Sequence, residues 1–270
     1  MSTDATARRA TIARLLNGAG FVAVADLTRQ LSVSDMTIRR DLRRLEADGV
    51  LTVVHGGARL PAPNGAGGSG FVARTRDELD AKSAIALAAV ELIPQHSSVV
   101  LDAGTTVFEL AKALPGRFTG YVFTHSVPVL VHMLAFPSIP VHGLGGELQT
   151  ESQAMIGPTT VENLAKVHAS VLFLGAASID ERGLFVAKDL ERSTKTALMR
   201  SVDTVVVLAD RTKLKRKAPV RLCPLDPIDV LVTDAPVSPA FQRACTQAGV
   251  EVVVASRHPM PSPQPAAAQA

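Results

Sequence analysis

Cysteine is scarce: Cys223 and Cys245 are far apart, and no Cys-x-x-Cys occurs in the 270 residues. That argues against a disulfide framework or a thiolate metal site and suits a reducing cytoplasm. Long apolar runs are missing, so nothing approaches the length needed to cross a bilayer. Met1 to Ala7 is polar and lacks an apolar signal core, so export is not expected. There is no internal repeat. Lysine is absent from residues 1–60, where nine arginines stand against six carboxylates. That segment carries the whole net charge of +3, because the remainder balances 19 basic against 19 acidic residues. Arginine's planar fork suits bidentate contact with phosphate and guanine.

The apolar fraction of 47% suits a globular protein, and the length allows one small and one large domain. Three helices fit the N-terminal segment. The first runs from about Thr6 to Asn17 and stops at Gly18 and Gly20; the second spans Val24–Leu31. The third runs from Asp35 to Asp48, with Ser34 as N-cap and Ile38, Leu42 and Leu45 as its buried stripe. A hairpin of Leu51–Val54 and Ala58–Leu60, turning on His55-Gly56-Gly57, follows. The third helix packs Arg39, Arg40, Arg43 and Arg44 into six residues. Alone, such a cluster reads as a solvated face. In this setting it belongs to a helix-turn-helix, at about 22–41, with the hairpin as its wing. Met36, Thr37 and Arg40 would then reach base edges. Arg39, Arg43, Arg44 and the wing amides around His55, Gly56 and Gly57 would hold phosphates, with Ser34 also counted among the DNA-binding residues. His55 also suits a simple turn.

Residues 61–74, which begin with Pro-Ala-Pro-Asn-Gly-Ala-Gly-Gly-Ser-Gly, read as a linker, and 257–270 as a disordered tail. The DNA-binding domain is thus 5–60 and the second domain 75–256. In the second, a helix over about Asp80–Ile93 precedes apolar runs near 99–101, 121–123, 139–144, 171–174, 205–208, 230–232 and 252–254. Helices separate most of them. The fold class is α/β with a mostly parallel sheet covered on both faces. Ligands of such sheets bind at the carboxyl ends of strands. There, Asp102-Ala103-Gly104-Thr105-Thr106 opens a helix and offers an anion site or a plain strand-to-helix turn. Thr124-His125-Ser126 and Gly145-Gly146 end two further strands. Lys195, one turn after Glu191, reads as half of an exposed ion pair, and Lys82 as a surface residue. Asp210 and Lys213 follow another strand.

Ser34, Thr37-Ile38-Arg39-Arg40-Asp41-Leu42, Leu45 and His55-Gly56-Gly57-Ala58 resemble the DeoR family of bacterial repressors. The resemblance continues through Asp102–Thr106, Thr124 with Ser126, Leu144–Leu148, Gly157-Pro158, Phe173–Ala176, Glu191 with Lys195, and Asp210 with Lys213. It implies a sensor domain similar in fold to sugar-phosphate isomerases, binding a phosphorylated sugar that releases the protein from its operator. Gly104, Thr105 and Thr106 would hold the phosphate. Lys82, Asp102, Thr124, His125, Gly145, Gly146, Lys195, Asp210 and Lys213 would be further effector contacts. Asp41 would pair with a neighbouring arginine. The expected partners are duplex DNA, a small phosphosugar and other copies of the chain as a dimer or tetramer, without cofactor or metal. The alternative is an isomerase-like enzyme carrying a DNA-binding domain. Here the chain departs from the family. Ala177-Ser178 replaces an Asp-Gly pair, His125 an asparagine, and Leu214-Lys215 a Phe-Gly pair, and an alanine at 177 cannot move protons.

Overall fold

The computed structural model describes residues 2–48, 50–54, 56–60, 70–114 and 118–256. His55, the linker residues 61–69 and the tail 257–270 lie outside the described residues. The chain divides into two compact units, Met1–Ser69 and Gly70–Ala270. No helix among the described residues is long and apolar enough to cross a membrane.

The first unit comprises α1 (Ser2–Ala19), β1 (Phe21–Ala23), α2 (Val24–Leu31), α3 (Asp35–Ala47), β2 (Thr52–Val54) and β3 (Gly57–Arg59). Ile12, Leu16, Leu27, Ile38, Leu42 and Leu45 close its core. Helix α1 begins four residues before the expected Thr6. The expected hairpin is the outer part of a three-stranded antiparallel sheet in which β3 is central and pairs with both β2 and β1. Three-residue β1 is too short to show a period of two, so the sequence pattern hides it. The turn is also tighter than expected, because Val54 pairs directly with Gly57. A Cβ on Gly57 would sit 2.2 Å from the Val22 carbonyl oxygen, so the central strand requires glycine there.

The second unit opens with α4 (Phe71–Arg76) and α5 (Leu79–Val90). Helix α4 overlaps the expected linker 61–74. Phe71 is buried and meets Phe108 edge to face at 5.8 Å, which supplies the packing that fixes this short helix. There follow β4 (Ser98–Leu101), α6 (Thr105–Ala113), β5 (Tyr121–Thr124), α7 (Val127–Met133), β6 (Val141–Gly143), β7 (Glu147–Gln149), β8 (Ala154–Ile156), α8 (Pro158–Leu164) and β9 (Ala169–Gly175). The remainder is β10 (Ser178–Asp180), β11 (Gly183–Val186), a 3₁₀ turn at Asp189–Glu191, α9 (Arg192–Arg200), β12 (Val202–Leu208), α10 (Arg211–Lys215), β13 (Val220–Cys223), β14 (Val230–Thr233), α11 (Pro239–Ala248) and β15 (Glu251–Val254).

Seven strands form one parallel sheet in the order β15-β14-β12-β9-β4-β5-β6. Alternate residues of each strand serve opposite layers. Val99, Leu101, Val171, Phe173, Val206 and Leu208 pack with α5, α6 and α7. Val100, Leu172, Leu174, Val205, Val207 and Leu231 pack with α8, α9 and α11. Burial on both faces explains the continuous apolar runs. The small antiparallel pieces β7–β8 and β10–β11–β13 lie outside this sheet. Cys223 and Cys245 are free thiols, each held protonated by burial with a pKa of about 11.

From β4 the chain builds outward through β5 to β6, then returns to β9 on the other side of β4 and builds outward to β15. Strand order therefore reverses between β4 and β9, where an open parallel sheet has its ligand crevice. Phe173, fully buried at the centre of β9, carries much of the packing beside that crevice. Phe173→Ala is expected to cost about 3–5 kcal/mol in urea unfolding; a loss under about 1 kcal/mol would remove it from the core.

Candidate functional site

In the first unit the Ser34 hydroxyl accepts the Thr37 N–H at 3.3 Å and lies 2.9 Å from the Thr37 hydroxyl, capping α3. Ile38 and Leu42 are fully buried, while Met36, Arg39, Arg40, Arg43 and Arg44 are exposed. Arg39 is held by Asp35 one turn away, whose hydrogen bond and charge raise the guanidinium pKa. The side chains of Arg40, Arg43 and Arg44 have no hydrogen-bond or ion-pair partner among the described residues. Glu46 accepts the Val53 N–H at 2.8 Å, tying α3 to the β2 strand, and the Gly56 carbonyl accepts the Val24 N–H at 2.8 Å.

Asp41 does pair with an arginine, but not with a neighbour. Its partner is Arg8 of α1, at 2.6 Å, and both side chains are largely buried. Nothing in the spacing marks this pair, which spans 33 residues. It joins α1 to the polar side of α3 while the four-arginine face stays exposed.

In the second unit the expected residues divide into three groups. Asp102, His125 and Lys195 form one buried network at the β4–β9 crossover, and Thr124, the residue before His125, is buried with partners of its own. Asp102 is fully buried. Its Oδ2 accepts the Gly175 N–H at 2.9 Å and a hydrogen bond from Lys195 Nζ, which also donates to the Gly175 carbonyl at 3.1 Å. Its Oδ1 lies 3.0 Å from His125 Nε2. His125 Nδ1 donates to the Met155 carbonyl at 2.7 Å. In the neutral ring Nε2 accepts the Ala103 N–H at 3.1 Å; in the charged ring it donates to Asp102 instead. Burial alone would raise the Asp102 pKa, but the Lys195 charge and then His125 outweigh it and hold the carboxyl at about 2. Lys195 is therefore no surface partner of Glu191, as its spacing suggests. It is buried and answers a buried carboxylate. Thr124 is also occupied: its hydroxyl donates to the Leu101 carbonyl at 2.7 Å and accepts the Ser126 N–H at 3.0 Å.

A second group is committed locally. Lys82 is buried rather than on the surface, and its Nζ donates to the Arg74 and Asp77 carbonyls that end α4. Asp210 caps α10, accepting the Thr212 N–H at 2.8 Å. The Gly145 carbonyl accepts the Thr160 hydroxyl at 2.7 Å, and a Cβ on Gly146 would lie 2.1 Å from that same hydroxyl. Gly146 lets the loop press against α8, and no described hydrogen bond links either glycine to the Asp102 network.

The third group has no such partner. The N–H groups of Gly104, Thr105, Thr106 and Val107 have no acceptor among the described residues, as expected for the first turn of α6. The Thr105 and Thr106 hydroxyls make no described hydrogen bond either. Gly104 is extended, and a Cβ there would find nothing nearer than the Gly175 Cα at 3.9 Å. The protein's own packing thus leaves room for a side chain at this position. Lys213 is half-buried with no hydrogen bond or ion pair among the described residues, and burial lowers its pKa against the pull of Asp210.

Residues 8–64 fit the profile of the DeoR-like helix-turn-helix domain, and 77–235 that of the DeoR C-terminal sensor domain. The chain belongs to the DeoR family of transcriptional regulators. It is 33% identical over 247 residues to the HTH-type transcriptional regulator GlpR of Haloferax volcanii, covering 91% of this chain and 96% of that one. To the glycerol-3-phosphate regulon repressor of Escherichia coli K12 it is 28% identical over 248 residues, covering 92% and 98%. Ribose 5-phosphate isomerase A of Methanocaldococcus jannaschii superimposes at a TM-score of 0.39 with 20% identity over 51% of this chain and 55% of that one, too loosely to carry an argument.

The Asp102 pKa lies below the value of about 3.9 of an unfolded aspartate. Its contribution is therefore complete above about pH 4 and is lost as pH falls through about 2, roughly 2 kcal/mol in all. Asp102→Asn should flatten stability against pH between 4 and 2 in this DeoR-family protein. An unchanged acid slope in chemical unfolding would contradict the assignment.

Proposed function

We propose that this regulator represses genes of carbohydrate metabolism and leaves its operator when a small phosphorylated sugar binds the second unit. The observation that carries the reading is the first turn of α6. Four amides without acceptors, two unbonded threonine hydroxyls and a glycine with open space beside it meet at the crevice of the sheet. A helix N-terminus of this kind favours an anion. Lys213, and Lys82 once drawn from its carbonyls, supply countercharge. Asp102, His125 and Lys195 act from beneath, fixing the crevice rather than touching the effector. The name of the Escherichia coli relative, a glycerol-3-phosphate regulon repressor, supports a phosphorylated ligand.

On the DNA side, Met36, Thr37 and Arg40 read bases in the major groove, while Ser34, Arg39, Arg43, Arg44 and the wing at His55 and Gly56 follow phosphates. One such module makes few contacts, so the working species is a homo-oligomer acting in the cytoplasm. An isomerase reading has less support. Ala177 offers no carboxylate, and Asp102 is held ionised, chiefly by Lys195, far from the pKa of a working general base.

Two measurements test this. Arg40→Ala should weaken operator binding by roughly one to two orders of magnitude in a mobility-shift assay; equal binding would remove Arg40 from the reading helix. A panel of phosphorylated trioses, pentoses and hexoses should contain a compound that raises the melting midpoint of the wild type. Gly104→Val should keep the unliganded midpoint and abolish that rise. A rise in both proteins would place the ligand elsewhere.

A further inference from the structure

A groove of about 560 Å³ lies in the second unit, lined by α4 (Phe71, Val72, Arg76), α6 (Phe108) and α7 (Val127, Val131). Its volume falls in the range of small-molecule sites, roughly 300–1,000 Å³. The protein sets its walls in advance. Phe71 meets Phe108 edge to face at 5.8 Å. The Phe71 N–H donates to the Glu151 carbonyl at 3.0 Å, and the Val127 N–H to the Gln153 carbonyl at 2.9 Å. One short stretch of chain therefore holds the starts of both α4 and α7. His132 adds a third ring, packed between Phe108 at 5.9 Å and Phe136 at 5.3 Å. Burial lowers its pKa, so it stands as an uncharged wall at neutral pH.

Val72 and Val131 remain 52% and 62% exposed on this groove, so its hydrocarbon faces water. Among the described residues that line it there is no aspartate or glutamate. Arg76 lines it, is exposed, and makes no hydrogen bond or ion pair among the described residues. The Thr75 hydroxyl is spent on the Phe71 carbonyl at 2.9 Å. A lone guanidinium beside an apolar bed suits a monoanion with a hydrocarbon body better than a phosphate, which needs several donors. The groove shares no lining residue with the Asp102 network or with the first turn of α6. Phe108 lies one turn further along α6, its N–H bonded to the Gly104 carbonyl at 2.9 Å.

We propose that this groove is a second ligand site, which takes a small amphipathic carboxylate. The hydrocarbon lies on Phe71, Phe108, Val127 and Val131, and the carboxylate pairs with Arg76. The inference goes beyond the phosphosugar reading and does not rest on it. A ligand seated there touches α4 and α7 at once, and so ties down the first helix after residues 61–69, which join the two units.

The test titrates sodium octanoate into the full-length chain at constant ionic strength, read by calorimetry. Wild type should bind saturably at one site per chain, and hexanoate should bind about tenfold more weakly, roughly threefold for each methylene lost from the bed. Val131→Asp, an exposed change that sets a like charge in the groove, should abolish binding. Arg76→Gln should weaken it about fivefold, the scale of an exposed ion pair. Gly104→Val should bind octanoate as the wild type does. No saturable binding in the wild type would overturn the proposal, and so would wild-type affinity in Arg76→Gln or in Val131→Asp. Loss of binding in Gly104→Val would place the acid in the crevice and overturn it too. Sedimentation of Val131→Asp without ligand checks the remaining occupant. An unchanged assembly is expected, whereas dissociation into smaller species would make the groove a seam between copies of the chain and overturn the ligand site. Should Val131→Asp fail to melt cooperatively, the hexanoate comparison and Arg76→Gln decide the question.

Discussion

Removing a carboxylate from water costs several kcal/mol unless charge and hydrogen bonds replace the lost hydration. Asp102 is fully buried at the carboxyl end of β4, and each replacement comes from a different part of the chain. Lys195 reaches it from α9, Gly175 N–H from the end of β9, and His125 from the end of β5. The carboxylate can stay charged only if these elements are in register. The same side chain therefore fixes the crevice where strand order reverses, beside α6 amides that have no acceptor among the described residues.

The first unit repeats the principle on a smaller scale. The buried Arg8–Asp41 pair fastens α1 to α3 on its polar side. Ile38, Leu42 and Leu45 fasten α3 to the core from the other. Held from both sides, α3 presents Arg40, Arg43 and Arg44 without a partner among the described residues, which is the condition for meeting phosphates and base edges. In both units a buried ion pair sets geometry, and polar groups on the same elements have no partner among the described residues.

The larger elements are legible in the sequence where one physical signal dominates. Ser34 as N-cap, the 24–31 helix and the parallel runs are readable because capping chemistry, helical period and two-sided burial leave clear patterns. Short pieces escape: β1, β7 and β8 have three residues each, and α4 depends on a tertiary contact between Phe71 and Phe108. The site is legible as a set of strand-end residues but not as a division of labour. Lys195 reads as exposed because its ion partner lies 93 residues away, and Lys82 because its acceptors are backbone carbonyls, which no side-chain pattern reveals. Arg74 falls inside what reads as a linker. Gly146 reads as a ligand glycine, whereas its need for no side chain comes from Thr160.

The central claim is that Asp102 and Lys195 act as one unit. A double-mutant cycle on Asp102→Asn and Lys195→Met, read by chemical unfolding, addresses it most directly. The account predicts that each single change costs about 3–5 kcal/mol, and that the double variant loses at least about 2 kcal/mol less than the sum of the two. Two losses that simply add would show the residues to be independent and would contradict it.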